Sequence, residues 1–133
     1  MVPQVARWMR KERLSEAVLC QAAREVAAGR LGAGEADLGD RLYKKRVARP
    51  GGGKRGGYRA ILACRRPGDA PETQRVLFAY AWAKNVASTL TPDGRAALAR
   101  VAAAFLDATE AQVSALLATK DVIEVDCHDD IAT

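Results

Sequence analysis

Apolar positions recur at helical spacing near both ends of the chain and at strand spacing in its middle. Pro3 followed by Val5, Trp8 and Met9 predicts a short amphipathic helix with Arg7, Arg10 and Lys11 outward. Ser15 reads as the cap of a second helix, with Glu16 in its first turn, Leu19, Ala22, Ala23 and Val26 as the apolar stripe and Gly29 as the stop. Such a pair could be half of a helix-turn-helix, but the second helix offers few base-reading side chains beyond Gln21 and Arg24. Packing on a sheet is the better reading. Residues 29–40 hold four glycines and read as a loop.

From Leu42 the period changes. Leu42–Arg49 reads as extended, without a clean division of its two faces. The run from Arg49 to Gly57 contains Pro50 and five glycines and reads as irregular. In Tyr58–Arg65, Tyr58, Ala60, Leu62 and Cys64 share one face, while Arg59 and Arg65 flank Ile61 and Ala63 on the other. That alternation predicts a sheet with one packed and one cationic face. After a turn at Pro67-Gly68-Asp69 and Pro71, Val76–Ala83 is apolar on both faces and reads as a central strand, with Phe78, Tyr80 and Trp82 on one side. Lys84 continues on that side.

Helical spacing then returns. Thr91-Pro92-Asp93 opens a helix carrying Leu98, Val101, Ala102, Phe105 and Leu106, and Thr109 to Gln112 is a capping-box pattern before Val113, Leu116 and Leu117. Val122–Val125 reads as a last short strand. The whole is an α+β fold: a small antiparallel sheet of three or more strands, packed against an N-terminal helix pair and C-terminal helices. It forms one domain over residues 1–125, followed by an acidic, mobile tail over 126–133.

Composition narrows the class. The 133 residues are 49% hydrophobic and 28% charged, which suits one globular domain. No apolar run approaches a membrane span or a secretory signal, so the expected setting is the cytoplasm, with no membrane partner. Cys20, Cys64 and Cys127 are odd in number and widely spaced, which favours reduced thiols over a disulfide framework.

Charge changes the picture more. Residues 1–40 hold six basic and six acidic side chains, and residues 67–133 hold five basic and ten acidic ones. Between them, Arg41, Lys44, Lys45, Arg46, Arg49, Lys54, Arg55, Arg59, Arg65 and Arg66 stand without one acid. Such a block fits a polyanion, nucleic acid first. A solvated charged surface, or a site for an acidic protein segment, would use the same run.

Several chemistries drop out. A P-loop needs glycine where Ala48 stands, Ser or Thr where Arg55 stands, and a helix afterwards. A cationic hairpin loop that follows a phosphate backbone fits Gly51–Arg55 better. Asp126, Cys127, His128, Asp129 and Asp130 form one terminal cluster rather than two spaced ligand pairs, so no metal and no cofactor are expected. His128 is the sole histidine, and nothing fixes it beside Cys20 or Cys64 for nucleophilic catalysis. With no carboxylate in the basic block, phosphodiester cleavage would have to proceed without a divalent ion. RNA permits that: its own 2′-hydroxyl attacks when a base takes the proton, cations hold the phosphorane and a donor protonates the leaving oxygen. A lysine crowded by like charges can be that base.

Leu42-Tyr43-Lys44-Lys45-Arg46-Val47, then Gly57-Tyr58-Arg59-Ala60-Ile61-Leu62, then Val76 to Asn85 resemble the RelE/ParE superfamily of toxin-antitoxin toxins, particularly its RelE and HigB side. The resemblance spans roughly residues 5–107. It implies a small antiparallel sheet backed by helices, ribosome-dependent cleavage of mRNA in the A site, and a cognate antitoxin protein, mRNA and the ribosome as partners. By position, Lys44 and Arg46 match the alternating basic pair on the strand lining the RNA site, with a lysine there as general base. Arg59 matches the arginine that stabilises the scissile phosphate, and Lys84 a basic position at the end of the central strand. Asn85 stands where a family member has an arginine assigned as general acid, and no tyrosine follows it, so that role is left unassigned, with Lys84 and Tyr80 as the candidates. Lys45, Arg49, Lys54, Arg55, Arg65, Tyr80 and Asn85 complete the expected RNA-binding set. Tyr58, Phe78 and Trp82 are open between core and base-stacking roles. Two other functions use the same residues: a ParE-like toxin that binds gyrase, and a nucleic-acid-binding module without catalysis.

Overall fold

A computed structural model describes residues 1–49, 53–68, 74–83 and 90–127. Two helices, α1 (Pro3–Glu12) and α2 (Glu16–Ala27), precede four strands, β1 (Ala36–Gly39), β2 (Leu42–Arg49), β3 (Gly53–Cys64) and β4 (Val76–Ala83). Helices α3 (Pro92–Leu106) and α4 (Glu110–Ala118) follow. The strands form one antiparallel sheet in the order β1-β2-β3-β4, so the architecture is α+β.

Both faces of the sheet are packed. On one, Val5, Trp8 and Met9 of α1 and Leu19, Ala22 and Val26 of α2 bury Val47, Tyr58, Ala60, Leu62, Cys64 and Phe78. On the other, Ala102 and Leu106 of α3 cover Leu42, Ile61, Ala63 and Leu77. The alternation read from β3 is therefore real, but its second face is covered along half its length rather than cationic throughout. Helix starts follow their local chemistry. The Thr91 hydroxyl accepts from the Gly94 N–H, and Thr109 and Gln112 form a complete reciprocal capping box. Ser15 occupies its cap position without a side-chain capping bond.

Four expectations about the elements themselves change. β1 lies inside the segment read as loop: four residues that include an Asp and a Gly carry no strand signal of their own and are held by pairing with β2. β3 begins at Gly53, so half of the glycine-rich run is strand backbone. β4 is an edge strand rather than a central one. It reads as central because α1 covers one face and α3 the other, while its outer rim is closed by Gln4, whose side-chain amide donates to the Ala81 carbonyl at 2.9 Å and accepts from the Ala81 N–H at 3.1 Å. Finally, Val122–Val125 forms no strand, although Ile123 exchanges backbone hydrogen bonds with Met1.

The register of β4 slips by one residue against β3. Ile61 faces Tyr80 but Leu62 faces Phe78, leaving Ala79 as the extra residue of a bulge. Phe78 thereby turns into the α1–α2 core, and Tyr80 and Trp82 turn to the α3 side. The three aromatics do not share a face.

Cys20 and Cys127 are joined by a disulfide, with Cα atoms 5.7 Å apart, against the expectation of reduced thiols; Cys64 is free and buried. Wide spacing along the chain did not mean distance in space, because the C-terminal segment folds back across α2, where the Asp126 N–H also donates to Glu16 at 2.9 Å. No single helix among the described residues is long and apolar enough to cross a membrane.

Candidate functional site

Strand alternation sends Lys44 and Arg46 to one face of β2 and Lys45 to the other. The register then builds two cross-strand rows. Lys44, Ile61 and Tyr80 lie abreast on β2, β3 and β4, and so do Arg46, Arg59 and Trp82. Both rows sit on the α3 face; Ile61 lies in the cluster that Ala102 and Leu106 cover, and the Arg46-Arg59-Trp82 row lies one step nearer the β2–β3 hairpin. With strands about 4.8 Å apart and alternate residues about 6.7 Å apart, they form a patch roughly 10 by 7 Å. Lys44, Arg46, Arg59, Tyr80 and Trp82 are all half-buried: accessible, yet held by their surroundings. The Tyr80 and Trp82 rings are 5.6 Å apart at 35°, an aromatic step beside the cations.

Arg46 and Arg59 face each other directly, an arrangement that is unfavourable unless an anion sits between them. Burial, then the Arg46 charge, push the Arg59 guanidinium below its ordinary pKa, with Glu35 opposing; an arginine stays protonated regardless. The Arg46 guanidinium donates to the Ala33 carbonyl at 3.3 Å, and its buried Nε has no partner among the described residues. No described carboxylate forms an ion pair with Lys44, Arg46 or Arg59. Fixed, unneutralised guanidinium groups beside aromatic faces suit a phosphate with an attached base.

The other cations of the basic block go elsewhere. Lys45, expected to bind RNA, is 1% exposed on the α1–α2 side, where its ammonium meets Glu25 at 2.9 Å and Glu35 at 2.7 Å. Arg65, also expected at the RNA, donates twice to the Leu106 carbonyl, at 3.0 and 2.7 Å, and so caps the end of α3. Arg41 forms a two-pronged ion pair with Asp107. A charge run in sequence is thus not one patch in space. Arg49, Lys54 and Arg55 lie on the backbone at the hairpin end of β2 and β3, and their side chains are outside what is described. Lys84 and Asn85 lie outside the described residues. Tyr58 and Phe78 are core, Tyr58 standing edge-on to Trp8 with ring centroids 5.1 Å apart, whereas Trp82 lines the patch.

One residue escaped the sequence reading. Burial works against the Glu35 carboxylate, but the Lys45 ammonium and the N–H groups of Gly32 and Arg46 outweigh it and hold its pKa below the usual value. Its only signal in sequence was an acid placed shortly before an acid-free block. In the terminal cluster, Cys127 is committed to its disulfide, and no group of three or more His, Cys, Asp or Glu among the described residues could hold a metal.

A family model described as the RelE toxin of the RelE / RelB toxin-antitoxin system matches residues 3–125. No curated protein and no solved structure matches the chain.

Proposed function

The chain belongs to the RelE family of toxin-antitoxin toxins, and on that footing we propose that it is a metal-independent endoribonuclease that cleaves mRNA at the ribosome and is neutralised by a cognate antitoxin in the cytoplasm. The observation that carries this is the paired rows on the α3 face of the sheet, Lys44-Ile61-Tyr80 and Arg46-Arg59-Trp82, which put a candidate base, two guanidinium groups and two aromatic rings within one nucleotide's reach.

The chemistry follows from that layout. Lys44 takes the proton of a 2′-hydroxyl, whose oxygen attacks the adjacent phosphorus. Arg46 and Arg59 hold the dianionic phosphorane, a preorganised electrostatic contribution that is often the largest single one. The 5′-oxygen leaves with a proton, which Tyr80 supplies from the same face, giving a 2′,3′-cyclic phosphate and a 5′-hydroxyl. Trp82 stacks a base and fixes the sugar for in-line attack.

Purified translation components programmed with end-labelled mRNA test this. The expected result is shortened mRNA ending in a cyclic phosphate, turnover that persists in EDTA, and a loss of about 10²- to 10³-fold in rate for Arg59→Ala with unchanged thermal stability. Intact mRNA together with inhibited gyrase would establish the ParE-like alternative. RNA binding without cleavage would establish the non-catalytic one.

A further inference from the structure

Glu35 immediately precedes β1, outside the basic block, and none of the chemistry above uses it. Its side chain is 3% exposed. One carboxylate oxygen accepts from the Gly32 N–H at 2.7 Å and from the Lys45 ammonium at 2.7 Å; the other accepts from the backbone N–H of Arg46 at 3.0 Å. The β1–β2 ladder pairs Ala36 with Lys44, so at Arg46 the Glu35 carboxylate stands where the next backbone acceptor would be. On its other edge, β2 at Arg46 is held by β3, at Arg59.

The same loop grips the Arg46 side chain. Ala33 offers its carbonyl to the guanidinium at 3.3 Å, and Gly34, at φ +77°, brings the loop so close that a Cβ there would lie 3.5 Å from Arg46 Cδ. Carboxylate, loop and strand edge therefore converge on one of two like charges that must share an anion.

We infer that Glu35 is a positioning residue for the anion-binding pair: by replacing a backbone acceptor at the β2 edge and folding the Gly32–Gly34 loop onto Arg46, it sets where the Arg46 guanidinium stands relative to Arg59. This rests on the reading that Arg46 and Arg59 hold the scissile phosphate. Glu35 itself touches no substrate. Glu35→Gln keeps the shape but cannot satisfy both sides: its NH₂ faces either the Arg46 N–H or the Lys45 ammonium, and each is a donor.

The test combines kinetics with NMR on the full chain. In Glu35→Gln, kcat on mRNA is expected to fall about 100-fold, the scale of an ångström's misplacement. KM should stay within about threefold, because the remaining cations still bind the backbone. The Arg46 backbone amide should shift and lose protection from hydrogen exchange. Wild-type kcat with a deprotected Arg46 amide overturns the inference, and so does an Arg46 amide as protected as in wild type. If Glu35→Gln does not fold, Gly34→Ala strains the same loop and should lower kcat about tenfold; unchanged kcat there overturns the inference too. Should the wild-type protein cleave no RNA, the proposed function fails and inorganic pyrophosphate decides the matter. Joint shifts of the Arg46 and Arg59 Nε–H signals, with binding about tenfold weaker in Glu35→Gln, uphold Glu35's role, and equal binding rejects it.

Discussion

Replacing Lys45 by methionine removes one cation from between two carboxylates and leaves its neighbour Lys44 intact. The Lys45 and Glu35 side chains are 2% and 3% exposed and Glu25 is 17% exposed, with ion-pair distances of 2.7 and 2.9 Å. Taking one partner from a buried pair costs about 3–5 kcal/mol, a large part of the roughly 5–15 kcal/mol that holds a domain folded. For a chain of this length that lowers Tm by about 11–18 °C. The pH dependence fixes the sign. Glu35 titrates below its ordinary 4.5 in the folded protein, so its contribution is present above that value and is lost as pH falls through the folded pKa. Lys45→Met raises that pKa, so the deficit should be full at pH 7 and should shrink toward pH 3. Lys44→Met, on the half-exposed patch, should cost no more than about 0.5 kcal/mol while abolishing RNA cleavage. Urea melts followed by circular dichroism between pH 3 and 7, beside a cleavage assay, measure both. A Lys45→Met deficit under about 1 kcal/mol, or one that grows on acidification, would refute the burial argument.

Three further expectations are simpler. Cys127→Ser, or reduction, opens a cross-link spanning 107 positions, for which chain-entropy arguments give about 4.8 kcal/mol; urea midpoints with and without dithiothreitol should separate accordingly, and coincident midpoints would argue against the cross-link. Thr109→Ala removes the hydroxyl that accepts from the Gln112 N–H in the α4 capping box, while the bond from the Thr109 N–H to Gln112 stays, and should cost about 1 kcal/mol in the same melts. Titrating single-stranded RNA binding against salt, Arg46→Gln should reduce the log–log slope by about 0.7, whereas Arg65→Gln should leave it alone, since Arg65 is spent on the Leu106 carbonyl.

Much of the architecture could be read from local signals. Pro3 marks a helix beginning by its fixed φ, and the Thr91-Pro92 start and the Thr109–Gln112 box do so with bonds that form within a few residues. That Lys44 and Arg46 share one face of β2 was legible because alternation within a strand is a local property; applied to Lys45, the same alternation turns it inward, and only the charge run argued otherwise. What sequence did not carry was register and return. The bulge at Ala79 flips Phe78 away from Tyr80 without altering a single apolar residue, and β1 exists only because β2 lies beside it. The partners of Lys45, Arg65 and Cys20 stand 10, 41 and 107 positions away, where no short pattern reaches.

The side-chain amide of Gln4 has a bearing on the molecule's behaviour in concentrated solution. An edge strand of eight mostly apolar residues would ordinarily be a template for intermolecular accretion. Here the rung at Ala81 is already occupied, and the opposite rim of the sheet is only four residues long and irregular. Growth into fibrils is thus blocked at one flank by the Gln4 amide at Ala81 and the Val2 N–H at the Phe78 carbonyl, and starved of length at the other; Gln4→Ala is the change that would open the Ala81 rung.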